Sequence, residues 1–302
     1  MLVRATLAAF AVLLASAPAT AAEQKKLDRA FTVAEGGRLT IDADGSDVTV
    51  SGTDSNQVVV NVIVKGSQRE IERTRVEAEQ SGNDVTVQVK RDRGNWLDWF
   101  QWSGHSKIDV KVPRAYHVEI DTSGGDLAVS RLKGEVRGKT SGGDLKVSEV
   151  VGPVYMRTSG GDIEIDSVEG DTDIKTSGGD IEVRKVVGSL TASTSGGSVN
   201  LTGIDGAVDA HTSGGSVRVE LSGTNRGVSA RTSGGDIVLR LPRNMSATVD
   251  VSTSGGSVRT DFPVTTSEFS ERKLKGTING GGAEIRARTL GGDVRLLAID
   301  GS

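Results

Sequence analysis

The stretch Thr176–Ser193, TSGGDIEVRKVVGSLTAS, decides the fold. Ile181 and Val183 alternate with the charged Glu182 and Arg184; after Val186 and Gly188 the alternation resumes at Leu190 and Ala192. Period-two alternation over such short runs marks half-buried strands. Two strands, each closed by a glycine corner, fill the 18 residues and leave no room for a helix. The same slots hold Leu145, Val147, Val150, Gly152, Val154 and Met156 earlier in the chain. Later they hold Val199, Leu201, Ile204, Gly206, Val208 and Ala210.

The box that opens this stretch recurs. TSGGD begins at Thr122, Thr140, Thr158, Thr176 and Thr232, and TSGGS at Thr194, Thr212 and Thr253. From Thr122 to Thr212 the spacing is 18 residues; the next steps are 20 and 21, and a last box, TLGGD, begins at Thr289. Self-similarity at a fixed period near twenty residues signals a stacked architecture. One coil can neither bury its inner side chains nor pair its backbone, whereas a stack does both. Neighbouring coils then pair in parallel about 4.8 Å apart. A barrel or an immunoglobulin-like sandwich needs hairpins with variable loops and gives no reason for strict register. The prediction is an all-β, parallel β-solenoid with ~18-residue coils and two short strands per coil, right-handed by the usual crossover preference.

Continuing the alternation through the box turns its threonine inward, as a buried hydroxyl column bonding to backbone. The two glycines make the corner, by adopting positive φ and by letting coils stack without Cβ atoms. The serine faces outward. The aspartates then form a column of like charges, each neighbouring pair repelling by ~1 kcal/mol in water and several-fold more near a protein surface. A bound cation or a neighbouring base could offset this. The residue before each box favours the base. Lys139 precedes the box of Asp144, Arg157 that of Asp162, Lys175 that of Asp180, Arg231 that of Asp236 and Arg288 that of Asp293. Where serine replaces the aspartate, at Ser198, Ser257 and Ser216, the preceding residue is Ser193, Ser252 or His211. Asp126, which follows Asp121, is the exception. These five bases and five aspartates are read as structural charge pairs across the corner, each surface pair contributing ~0–1 kcal/mol. Bases beside the carboxylates argue against a cation column, so no cofactor or metal is expected. Asp121 with Asp126 is the best remaining metal candidate.

The first residues, MLVRATLAAFAVLLASAPATAAEQ, read as a secretory signal: Arg4, an apolar run from Leu7 to Leu14, and a cleavage site at Ala19-Thr20-Ala21. The apolar run is shorter than the ~20 residues a bilayer span requires. The chain divides into a signal peptide at 1–22, a β-rich capping region at 23–120 and a solenoid at 121–302 with an irregular segment at 261–282. Export to the periplasm or cell surface follows, with no transmembrane segment in the mature chain. Of 302 residues 40 are Gly and none is Cys, so disulfides and thiolate metal sites are absent. The formal net charge of −4 excludes the basic face of a nucleic-acid binder.

Solenoids need caps, because open ends expose unpaired edges. Ser67–Arg73 reads as a helical turn, and RVEAEQSGNDVTVQVK as a hairpin around Ser81-Gly82-Asn83. NWLDWFQW, Asn95–Trp102, gathers all three tryptophans, Trp96, Trp99 and Trp102, with Phe100. It reads either as an exposed contact loop for an envelope protein, glycan or lipid headgroup, or as a plug for the solenoid end. The segment 261–282 breaks the period and reads as a loop or flap. The final GGDVRLLAIDGS ends almost on a strand, which predicts an open C-terminal edge for homo-oligomerisation. His105, His117 and His211 show no metal or triad spacing, and Gly-Gly without a following Lys makes no phosphate loop. No catalytic residue is assigned.

The opening F-x-V-x-x-G-G-x-L-x-I at Phe31–Ile41, the Val112-Pro113 strand, the TSGGDIxV coils and the closing GGG-x-x-I-x-x-x-T-x-G-G-D-V-x-L at Gly280–Leu296 together resemble the bacterial "putative adhesin" family of β-strand-repeat proteins. The resemblance spans nearly the whole mature chain. It implies a repeat architecture and, by the family's name alone, adhesion; it supplies no catalytic residues. The expectation is an exported, non-enzymatic surface or periplasmic scaffold. Two alternatives stand beside it: a carbohydrate-active solenoid enzyme using the Asp144, Asp162 and Asp180 face, and a self-assembling envelope polymer.

Overall fold

The computed structural model of the chain describes residues 24–92 and 105–300. The leader at 1–22 and the aromatic segment Asn95–Trp102 lie outside the described residues. Among those residues are two long sheets, of 15 and 14 strands, called here the front and back sheets, and one short helix, Gln68–Glu72. Each central coil runs up a back strand, turns through the box, and returns along a front strand. In the front sheet Leu145 pairs with Ile163, Ile163 with Ile181 and Ile181 with Val199. In the back sheet Val154 pairs with Thr172, Thr172 with Leu190 and Leu190 with Val208. All these ladders are parallel, one repeat apart, as a β-solenoid requires.

The inward residues fill the space between the sheets. Ile181, Val183, Val186, Leu190 and Ala192 of one coil are each at most 1% exposed. Burying one such aliphatic side chain larger than alanine contributes ~1.5–3 kcal/mol. An aspartate at Ile181 would instead leave an unpaired carboxylate between two sheets. The front strand carries inward residues at unequal spacing, as at Leu145, Val147 and Val150. In three coils a left-handed residue makes the extra step: Arg131 has φ 59°, Glu149, one coil on, φ 55°, and Gly203, three coils further, φ 65°. Two outward residues then follow one another, and the next turn still faces inward, as in a β-bulge.

Both ends of the stack are interleaved. Arg38–Ala43 lies between Asp84–Arg91 and His117–Thr122 in the back sheet. Ser46–Thr53 lies between His105–Pro113 and Leu127–Lys133 in the front sheet. The first coil in sequence is therefore sandwiched between two later ones. The same happens at the other end. Glu284–Thr289 lies between Val228–Arg231 and Ala247–Thr253, and Val294–Ile299 between Ile237–Pro242 and Val258–Thr260. The expected open edge at the C-terminal strand is thus corrected: Val294–Ile299 has a partner on each side. The segment 261–282 is no flap. It supplies the hairpin Thr265–Ser270 and Lys273–Ile278, which extends the back sheet antiparallel.

The N-terminal end is closed by antiparallel strands as well. Gln24–Thr32 covers Gln57–Lys65 in the front sheet, and Thr74–Ser81 forms the expected hairpin with Asp84–Arg91 in the back sheet. The helix begins with a reciprocal capping box between Ser67 and Glu70. Tyr116 is fully enclosed here and donates its hydroxyl to the Asn83 carbonyl.

Candidate functional site

The box is the most repeated chemistry in the chain, and the structure gives each position a job. The threonines are buried, at 0–7% exposure. The Thr176 hydroxyl donates to the Gly161 carbonyl of the preceding coil at 2.8 Å and receives the Gly179 N–H of its own corner at 3.4 Å. Thr140, Thr158, Thr194, Thr212, Thr232, Thr289 and Thr253 repeat the donation at 2.6–3.0 Å. Each thus ties two coils at a turn whose backbone would otherwise be buried without a partner.

The two glycines are not equivalent, and neither needs positive φ, which corrects the expectation: the positive-φ glycines lie elsewhere, at Gly152 and Gly188 among others. The second box glycine is needed for space. A Cβ on Gly161 would stand 2.1 Å from the Gly143 carbonyl oxygen, and one on Gly179 2.1 Å from that of Gly161. A Cβ on the first glycine has more room early in the stack, meeting nothing within 4 Å at Gly142, and less later, coming within 2.8 Å of the Gly214 oxygen at Gly234.

The aspartates form a ladder of their own. The Oδ1 atom of Asp126 accepts the Asp144 N–H at 2.8 Å, Asp144 that of Asp162 at 2.8 Å, Asp162 that of Asp180 at 2.7 Å, and Asp180 that of Ser198 at 2.7 Å. Ser198 and Ser216 continue it through Oγ at 3.3 and 3.2 Å. Asp236 then accepts the Asp293 N–H at 2.8 Å and Asp293 that of Ser257 at 2.9 Å. At the other end Asp47 accepts from Asp126 at 3.1 Å. The column of like charges is therefore offset by one aligned backbone N–H per carboxylate, a charge-assisted bond about twice as strong as a neutral one. The backbone N–H of Ser257, with help from Arg295, holds the Asp293 carboxyl below the usual carboxylate range.

The bases find other partners. Lys139 lies 4.0 Å from Asp121, Arg157 3.7 Å and Lys175 3.2 Å from Asp173, and Arg288 3.4 Å from Asp250. Arg231 stands between His211 and Arg288 in the same column. Among the described residues none of the five forms an ion pair within 4.0 Å of its own box aspartate. The reason is geometric. Each base is the last outward residue of a back strand, and each aspartate precedes a front strand, so the two side chains leave on opposite faces of the sandwich. The readable clue to the real role was the exchange of Asp for Ser: both are short side chains with an oxygen acceptor, and only one is charged.

Shifted carboxylates elsewhere lean the same way. Lys146 and Arg184 hold Glu164 below its ordinary value, and Arg114 does the same for Asp54. A carboxyl serving as a general acid needs the opposite shift. Asp47, Asp126, Asp144, Asp162 and Asp180 do line a shallow groove along the front sheet, yet each spends Oδ1 on the ladder. Among the described residues no three His, Cys, Asp or Glu side chains are grouped as a metal would require, and no helix is long and apolar enough to cross a membrane. Asp126 gives its own N–H to Asp47, and Asp121 faces Lys139. His105 lies 2.9 Å from Asp47, and His117 accepts the Glu135 N–H.

Comparison with known proteins follows the architecture. No curated protein matches the sequence. Among solved structures, a "putative cell adhesion protein" from Clostridium sporogenes is 10% identical, with 92% of this chain and 100% of that chain covered and a TM-score of 0.28. A "putative adhesin" from Parabacteroides distasonis is 15% identical, with 90% and 97% covered and a TM-score of 0.36. A "putative lipid binding protein" from the same organism is 12% identical, with 90% and 96% covered and a TM-score of 0.35. The resemblance read from the sequence rests on firmer ground in the family comparison. Residues 37–297 match the Toastrack DUF4097 family, and the chain belongs to that family.

Proposed function

We propose that the protein is an exported, non-enzymatic β-solenoid that acts as an adhesin-like binding scaffold at the cell surface or in the periplasm. One observation carries this reading: the division of labour along the chain. The threonine of every box and the aspartate of the TSGGD boxes, the side chains a catalytic reading would have to use, are committed to joining coil to coil. The repeat is broken by Asn95–Trp102, which joins Asp84–Arg91 of the back sheet to His105–Pro113 of the front sheet. The coils from Thr122 onward carry a box at that connection. Trp96, Trp99, Phe100 and Trp102 are therefore the contact residues of this reading, since large aromatic side chains anchor interfaces. The leader at 1–22 supports export.

The test is fractionation of the cell envelope with pull-down, comparing wild type with Trp96→Ala/Trp99→Ala/Trp102→Ala. Envelope location with loss of captured partners in the variant supports the reading. Retention in the cytoplasm overturns export, and an unchanged set of partners overturns the aromatic contact.

A further inference from the structure

Base and aspartate match coil by coil, yet inside the chain Lys139, Arg157, Lys175 and Arg288 lie against other carboxylates, so the match has no explanation there. Lys139, Arg157, Lys175, Ser193, His211, Arg231, Arg288 and Ser252 run in register down the back face. Asp144, Asp162, Asp180, Ser198, Ser216, Asp236, Asp293 and Ser257 run in register down the front face. Base goes with acid and neutral with neutral in every one of these coils except that of His211 and Ser216. Contacts within one molecule do not require this, because the two columns face opposite ways.

We propose that a second copy of this chain supplies the missing contact, by stacking its back face on the front face of the first. The geometry is favourable for a simple reason. Both columns flank the same Thr-Ser-Gly-Gly corner, one just before it and one just after. A copy shifted along the sheet normal by about 20 Å, twice the usual spacing of packed sheets, needs no sideways movement. Lys139 of one copy then meets Asp144 of the other, Arg157 meets Asp162 and Lys175 meets Asp180. The rungs match because both columns share one coil spacing.

The groups are available for it. Lys139 and Arg157 are exposed, with side chains 68% and 61% accessible, and their contacts within the chain are long, at 4.0 and 3.7 Å; Lys175 is half-buried and would exchange a 3.2 Å contact with Asp173 for the new one. Asp144, Asp162 and Asp180 are exposed and have only Oδ1 engaged in the ladder. The acidic exceptions, Asp42 and Asp121, lie at the N-terminal end: Lys90 meets Asp42, and Lys139 exchanges its long 4.0 Å contact with Asp121 for Asp144 of the other copy. Such a contact joins unlike faces. It does not close on itself, so it builds an open stack. Exposed charges hold it, so salt weakens it. This inference is independent of the aromatic contact at 95–102, and either can fail alone.

The experiment is sedimentation velocity on the mature chain, residues 23–302, over a range of concentrations at low and high salt. The expected result is a mass that rises with concentration beyond dimer at low salt and falls to monomer at high salt. Two variants then separate the faces. Asp144→Asn/Asp162→Asn/Asp180→Asn keeps the Oδ1 acceptors and the back-face bases. Lys139→Gln/Arg157→Gln/Lys175→Gln keeps the front-face acids. Each alone should be monomeric with wild-type circular dichroism, and an equimolar mixture should stop at a 1:1 dimer. A wild type that stays monomeric at low salt overturns the proposal. So does assembly that both variants retain, or a mixture with no dimer.

Discussion

The central coils and the two ends use the same bonds over different lengths of chain. Between Asp162 and Asp180 the ladder bond spans 18 residues; between Asp236 and Asp293 it spans 57, and between Asp47 and Asp126 it spans 79. Loop closure grows only as the logarithm of length, so the longer spans cost about 1 kcal/mol more. In return, each terminal coil has a neighbour on both sides and cannot fray as a free end would. The difference teaches that order in the stack and order in the sequence are separate properties.

The largest test of that comparison is to remove a coil from each region. Excising residues 158–175 joins Arg157 to Thr176 and restores every slot. The shortened chain is expected to fold, less stable by one coil and its interface. Ending the chain at Gly282 removes the coil between 228–242 and 247–260 and leaves two faces bare. Thermal unfolding and hydrogen exchange should show a larger loss, with protection lost in both flanking coils and kept near 145–205. Equal losses in the two deletions would break the comparison.

A single methyl group gives the next effect. Gly161→Ala, with its Cβ 2.1 Å from a carbonyl oxygen, should cost about 3 kcal/mol. Gly142→Ala, which meets nothing, should change stability by less than about 0.5 kcal/mol. At the C-terminal end the second glycine should behave like Gly161, since a Cβ on Gly256 comes within 2.3 Å of the Gly292 oxygen. A neutral Gly256→Ala beside a damaging Gly161→Ala in urea denaturation would show that the end is packed more loosely than the middle.

Tyr116 tests the N-terminal end by itself. Burial pushes its hydroxyl up to about 12, against about 10 in the unfolded chain. The folded state therefore holds the proton where the unfolded state has released it. This stability is complete below pH about 10 and is lost as pH rises towards 12, by about 3 kcal/mol at most. Tyr116→Phe should flatten that part of the pH–stability curve. An unchanged slope would show that Tyr116 is not what the alkaline limb reports.

Much of this was legible in the sequence, and the limits have physical causes. The period of 18 and the alternation around Ile181 gave the coil, its inward residues and the buried threonines. The hairpin at Ser81–Asn83 and the turn at Ser67 followed from their own residues. The interleaving could not be read, because coils 38–53 and 284–299 present the same slots as any other. Charge also misled. Lys175 and Asp180 are five residues apart and of opposite sign, yet the Thr-Ser-Gly-Gly corner between them, pinned by its buried threonine, sends the two side chains to opposite faces. The role of Asp180 was visible only in its exchange for Ser198, which keeps an oxygen and drops the charge.

That exchange sets up the smallest and sharpest test. If the box aspartate serves as an acceptor, its charge matters less than its oxygen. Asp162→Asn keeps an Oδ1 for the Asp180 N–H and should move stability by less than about 0.5 kcal/mol in either direction, since losing the charge-assisted bond is offset by less repulsion along the column. Asp162→Ala leaves that N–H without a side-chain partner and should cost about 1 kcal/mol. At the C-terminal end Asp293 receives the N–H and hydroxyl of Ser257 and also contacts Arg295. Asp293→Asn should therefore cost more than Asp162→Asn, and low pH should reproduce the difference: the Asp293 carboxyl is held below its ordinary value, so its stabilisation is present above pH about 4 and is lost as pH falls through the lowered folded value. A central Asn variant as costly as the Ala variant would return the charge to the leading role, and with it the reading of the aspartate column as something more than a corner's acceptor.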